Sequence, residues 1–259
     1  MTQTLQYDIQ DGIAIIRFNR PDVFNSFNRE MALGFQDLLD TCEKNKSVRA
    51  IFLTGNGKAF CAGQDLAEVT ASEAPFIENI VAEHYNPIVR RIREIEKPII
   101  CAVNGVAAGA GANLALACDI IVAVETATFI QAFSKIGLIP DSAGTFFLPK
   151  LIGFQKASAL MMLGDKISAM EAEKLGMLYK VFSTEEFESA AFDIAKTISK
   201  MPTLGLVYTK KLLNAGLTNN LNDQLDQEEI YQSKAGKTND YKEGVQAFLE
   251  KRKPEFTGT

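Results

Sequence analysis

The chain has 259 residues, 47% of them hydrophobic, which is enough for a substantial core in one large domain or a domain with an appendage. Its 27 Lys and Arg against 32 Asp and Glu give a formal net charge of -5, which excludes the broad basic field of nonspecific nucleic-acid binding. Four cysteines, Cys42, Cys61, Cys101 and Cys118, show no CxxC spacing, and the single histidine, His84, has no cysteine beside it. This pattern supports neither a zinc site nor a disulfide framework and points to a reducing compartment. The start, "MTQTLQYDIQDG", resembles neither a secretory signal nor a transit peptide, and no apolar run reaches bilayer length. The expectation is a soluble cytoplasmic protein.

In chain order, "GIAIIRFN" (12–19) and "VRAIFLTG" (48–55) are β-branched runs, and "REMALGFQDLLDTCEKN" (29–45) between them has helical spacing. The pattern recurs with a helix over 76–96, on which His84 reads as a surface or subunit-packing residue, and strands over 97–105 and 119–125. Such alternation implies right-handed crossovers and an α/β core. Beyond Glu125 strands become scarce. Helices are expected near 156–163, 168–175, 184–201, 204–215, 222–235 and 239–252, with one short strand over 177–182. Ser168 with Glu171, and Thr184 with Phe187, read as helix starts. The expected division is an α/β core over 1–200 and a C-terminal helical region over 201–259.

Two stretches hold more small residues than a core element needs: "GNGKAFCAGQDL" (55–66) and "NGVAAGAGANLALACD" (104–119), each after a strand. Glycine and alanine let a backbone approach a ligand, and N–H groups at a helix start can face developing negative charge. Two such donors would form an oxyanion hole; the plain alternative is a pair of tight turns. "GAGANL" (109–114) has Leu114 where a dinucleotide fingerprint needs glycine, and "GNGKA" lacks the spacing and hydroxyl of a phosphate-binding loop. Cys61 has no histidine to activate it and reads as a small filler. In "KIGLIPDSAGTFFLPK" (135–150) a lone carboxylate, Asp141, stands in an apolar run. It is either a base in a dry pocket or a helix N-cap.

Five motifs in order, "FNRPDVFNSFN" (18–28), "KAFCAGQDL" (58–66), "KPIICAVNGVAAGAGANLALACDIIVA" (97–123), "FSKIGLIPDSAGT" (133–145) and "LGDKISAMEAEKLGM" (163–177), resemble the enoyl-CoA hydratase/isomerase (crotonase) superfamily over nearly the whole chain. The resemblance implies a spiral of ββα turns with a C-terminal helical trimerisation region, assembled as trimers or dimers of trimers. It implies an acyl-CoA substrate and no cofactor beyond the coenzyme A that the substrate carries. It places the N–H groups of Ala62 and Ala110 in the oxyanion hole, and Gly63, Gln64, Asp65 and Leu66 on the loop beside the CoA, with the 20–24 turn near it. Asp65 also reads as the cap of the helix beginning "LAEVT". Lys251 and Lys253 either meet CoA phosphates or solvate the last helix.

The departures from that family matter more than the matches. Where its hydratases carry two glutamates, this chain has Asn113 and Phe133, which cannot act as bases. Where they have glycine, it has Asp141, with Leu138, Ile139 and Phe146 expected beside Phe133 as an apolar wall. Asn113 is either an ordinary polar helix residue or one that hydrogen-bonds substrate or Asp141. These features are similar to the isomerase branch that converts ring 1,2-epoxyphenylacetyl-CoA to oxepin-CoA and can shift 3-enoyl-CoA to 2-enoyl-CoA. A hydratase working in an unfamiliar way and a noncatalytic partner subunit are the alternatives.

Overall fold

The protein is described by a computed structural model covering residues 3–70 and 75–259. Strands β1 (Leu5–Gln10), β2 (Ile13–Phe18), β3 (Ala50–Gly55), β5 (Ile99–Val103), β7 (Ile120–Val124) and β10 (Lys180–Phe182) form a six-stranded sheet in that spatial order. β1 and β2 make an antiparallel hairpin; the other neighbours run parallel. The hairpin turns on Asp11 and Gly12, both at positive φ, as a two-residue connection of right-handed strands requires. A second sheet holds β4 (Ala59–Cys61), β6 (Val106–Ala108), β8 (Thr128–Ile130) and β9 (Lys166–Ser168). The sequence reading did not find β1, or this sheet, whose three-residue strands are too short to show a period.

The large sheet is buried on both faces, so its parallel strands read as continuous apolar runs. Helix α1 (Arg29–Lys44) covers one face. Its start is capped by Asn28, whose side chain accepts from the Met31 N–H. Phe18, Phe27, Phe35 and Phe60 stack there, Phe18 meeting each of the others at 5.1–5.2 Å. Beside this layer lie the short α2 (Leu66–Val69) and α3 (Ile77–Asn79), a π-helical turn (Ile80–Tyr85) and α4 (Asn86–Glu94). The helix expected over 76–96 is thus broken in phase, and Pro87 lies where the break ends. Proline cannot donate to the preceding turn; the Glu83 carbonyl accepts instead from Gln36 Nε2 at 2.8 Å. The extra residue of the π turn brings both His84 and Tyr85 inside. His84 is therefore a buried residue, not a surface one.

Small helices α5 (Ala110–Leu116), α6 (Gly144–Ile152), α7 (Phe154–Leu163) and α8 (Ala169–Lys174) follow, α8 capped by Ser168 as expected. Helix α9 (Phe187–Ser199) covers the other face of the large sheet, with Ala191 and Ala195 over Ile13, Phe52 and Ile100. Thr184 does not cap it: its N–H and hydroxyl both donate to Glu125, and Ser183 sits at the helix entry. The chain closes with α10 (Thr203–Gly216), α11 (Leu221–Ala235) and α12 (Asn239–Glu250). Helix α10 is tied to the sheet by Lys210, whose ammonium meets Asp119 at 2.9 Å and the Ile92 carbonyl at 2.7 Å.

Candidate active site

The two small-residue stretches and the Asp141 turn meet at one cavity of about 590 Å³. Ala62, Gly63 and Gln64 enter after β4, Gly109 and Ala110 at the start of α5, and Phe133, Leu138 and Asp141 from the segment after β8. Leu66 and Val69 of α2, with Ile77, Ile80 and Tyr85, close the far side. Sequence reasoning missed Tyr85, Ile77 and Ile80 as lining residues, because their spacing is that of an ordinary core face.

Gly63 brings the two loops together. Its φ of +91° suits glycine alone, and a methyl placed there would stand 3.0 Å from the Ala108 carbonyl oxygen and 3.4 Å from the Ala110 nitrogen. Phe27 pairs with this loop in a parallel bridge: its N–H donates to the Gly63 carbonyl and its carbonyl accepts from Asp65 N–H. The intervening Gln64 N–H is thereby turned away from Phe27. That group and the Ala110 N–H, first in α5, have no hydrogen-bond partner among the described residues. The Ala62 N–H, in contrast, donates to the Phe24 carbonyl at 3.0 Å. Ala62 lines the cavity, yet the free donor expected of it lies two residues on, at Gln64.

Asp65 and Asn113 do not line the cavity. Asp65 is turned into the protein, where Oδ2 accepts from Arg20 at 2.8 Å and Oδ1 caps α2 through the Ala67 N–H at 3.0 Å. The capping expectation holds, and the side chain is turned away from the cavity that its neighbours Gln64 and Leu66 line. Asn113 is fully buried in α5, its side chain bonded to the Asp141 carbonyl and to Gln131. Of the expected apolar wall, Phe133 and Leu138 are in place, whereas Ile139 is 80% exposed and Phe146 lies under Lys150, 3.7 Å from its ring centroid. Cys61 is buried in the packing behind the loop, and burial pushes its thiol up to about 12, which suits a filler.

Asp141 itself is not a cap: the N-cap of α6 is Ala143, and no side chain bonds to the first turn. Its carboxylate accepts from the Ser142 hydroxyl at 2.9 Å and is also eased by its own backbone N–H, and no cation among the described residues pairs with it. Partial burial therefore raises its pKa from the ordinary carboxylate value, the Ser142 and backbone bonds opposing only in part. It is the sole carboxylate among the described lining residues. Tyr85 faces the same space, donating to Gln64 Oε1 at 2.9 Å, while Gln64 Nε2 reaches Glu68. Among the described residues no cluster of three or more His, Cys, Asp or Glu is placed to hold a metal ion.

Two glycine-rich turns offering unpaired N–H groups to an apolar cavity with one carboxylate are the parts of an enzyme that handles a carbonyl through an anionic intermediate. The chain belongs to the enoyl-CoA hydratase/isomerase family, enzymes acting on CoA thioesters, which it matches over residues 8–259, and its fold is the α/β crotonase fold. It is 44% identical, over all of both chains, to the 1,2-epoxyphenylacetyl-CoA isomerase of Escherichia coli strain K12. It is 33% identical, over 97% of each chain, to the trans-2-decenoyl-[acyl-carrier-protein] isomerase of Streptococcus mutans. The crystal structure of an enoyl-CoA hydratase from Bacillus anthracis superposes with a TM-score of 0.92 at 32% identity, covering 99% of this chain and 100% of that one.

Proposed function

We propose that the protein is an acyl-CoA isomerase, converting ring 1,2-epoxyphenylacetyl-CoA to oxepin-CoA, shifting 3-enoyl-CoA to 2-enoyl-CoA, or both. The observation that carries this reading is the single half-buried carboxylate, Asp141, in a cavity also lined by Gln64 and Ala110, whose N–H groups are free. Those two donors would hold the thioester oxygen and disperse the charge of the enolate, each contributing about 3 kcal/mol to the transition state. Asp141 would take the proton from C2 and return it to C4, so that one base serves both half-reactions. Hydration needs a second group to position water; the nearest side chains to that role, Phe133 and Asn113, are an apolar wall and a buried amide. The same hole would hold the epoxide thioester while its ring expands.

No resident cofactor enters this scheme; coenzyme A arrives as part of the substrate. Self-association as a trimer or dimer of trimers, through residues 201–259 packed beside a 1–200 core, is supported by exposed Leu213, Leu221, Leu225, Phe248 and Leu249 on α10, α11 and α12. No helix among the described residues is long and apolar enough to cross a membrane, which fits the cytoplasmic placement proposed with it.

The deciding experiment offers the purified protein crotonyl-CoA, 3-hexenoyl-CoA and the ring epoxide thioester in turn. Bond migration or ring expansion, lost in Asp141→Asn, is the expected result. Hydration of crotonyl-CoA as the fastest reaction, or no turnover of any thioester, would overturn the reading.

A further inference from the structure

We infer that Asn113, oriented by Gln131, is a positioning residue that fixes the Asp141 carboxylate from behind; the inference rests on the proposed role of Asp141. The polarity of this buried chain is determined from one end. The Asp141 carbonyl can only accept, so Asn113 presents Nδ2 to it, at 2.9 Å. Asn113 Oδ1 is then left to accept, and Gln131 Nε2 donates to it at 2.8 Å. Gln131 Oε1, at the end of the chain, is buried without a partner among the described residues. A buried acceptor left unpaired is a cost, so packing or solvation alone does not explain why this amide is present.

The backbone that Asn113 holds is itself strained. Ser142 and Ala143, which carry the chain from Asp141 into α6, both have positive φ, 50° and 60°, a region that side-chain-bearing residues avoid. Two bonds clamp that turn at one atom: the Asp141 carbonyl accepts from Gly144 N–H and from Asn113, both at 2.9 Å. Gly144 permits this approach, since a methyl there would stand 2.3 Å from Asn113 Nδ2. Relaxing the turn would swing the Asp141 side chain relative to the Gln64 and Ala110 donors. An aspartate at 113 would present only acceptors to the carbonyl and place a second negative charge behind the base.

The test measures kcat, KM and thermal stability together for 3-hexenoyl-CoA isomerisation by Asn113→Ala, Gln131→Met, Gly144→Ala and Asp141→Asn. In Asn113→Ala, kcat falls about ten- to a hundredfold with KM within about threefold of the parent. Gly144→Ala lowers kcat in the same way by displacing the amide, and Gln131→Met, which takes the donor from Asn113 Oδ1 but leaves the Asn113 bond to the Asp141 carbonyl, lowers it less. A folded Asn113→Ala protein with kcat within about twofold of the parent overturns the inference, as does a rise in KM at unchanged kcat, which would mean direct substrate contact. Should Asn113→Ala not fold, Gln131→Met and Gly144→Ala decide by the same kcat criterion. Full activity in Asp141→Asn would instead remove the base assignment itself, and that result is separate from the other three.

Discussion

The turns that carry Asp65 and Asp141 resemble each other in sequence and differ in what they do with their charge. Both set one aspartate among small residues beside the same cavity. Asp65 points inward, neutralised by Arg20 and engaged in capping α2, so it fixes the loop that presents the Gln64 N–H. Asp141 has no cationic partner among the described residues, and its partial burial shifts it towards the acid form against the Ser142 hydroxyl and its own backbone N–H. The difference teaches that a satisfied carboxylate holds geometry, whereas an under-satisfied one can exchange protons.

Substitutions can break that contrast. The largest effect is expected at Asp141: Asp141→Asn should lower isomerase turnover about a thousandfold, read by steady-state kinetics, with the fold intact by circular dichroism. Asp65→Ala should act on stability instead. It leaves Arg20 without its partner where both side chains are mostly buried, at 19% and 12% exposure, and removes a cap. A loss of about 3 kcal/mol in denaturant unfolding is expected.

The pH response sharpens the same comparison. Since burial raises the Asp141 pKa, kcat/KM should climb with pH and level off above the ordinary carboxylate range near 3.9. Linkage gives the matching sign in stability. A group protonated more readily when folded favours the fold at low pH, and this contribution is lost as pH rises through its folded pKa. Asp141→Asn should therefore melt at higher temperature than the parent at pH 7, with the gain fading as the pH falls towards 4. The smallest effect is expected for Gln64→Ala, because the proposed donor is main chain: kcat should stay within about tenfold of the parent.

How much could be read in advance followed the length of the signal. The long strands and α1 have clear periods, and the proposed trimerisation helices show amphipathic spacing, so they were placed within a few residues. The four-stranded sheet offers three residues per strand and was invisible, although it aims Ala62 to Gln64 and Ala110 at the cavity. Asp141 stood out because a charge in an apolar run is conspicuous. The free N–H of Gln64 did not, since which of three adjacent amides is unpaired depends on the bridge to Phe27, almost forty residues earlier in the chain. Asn113 stands out for the acid it lacks and as a candidate partner of Asp141; that its amide meets the main-chain carbonyl of Asp141, and not the carboxylate, required the tertiary arrangement.

The π turn at Ile80–Tyr85 works as a phase shifter. One residue beyond an α-turn advances the helix by about 100° of azimuth, so the segments on either side of it need not present the same stripe. Ile77 and Ile80 can thus wall the cavity while Ile88 and Ile92 fill the core beneath. Deleting a single residue there would keep the helix helical and rotate Tyr85 out of the site, turning a length change of one into a change of which surface the substrate meets.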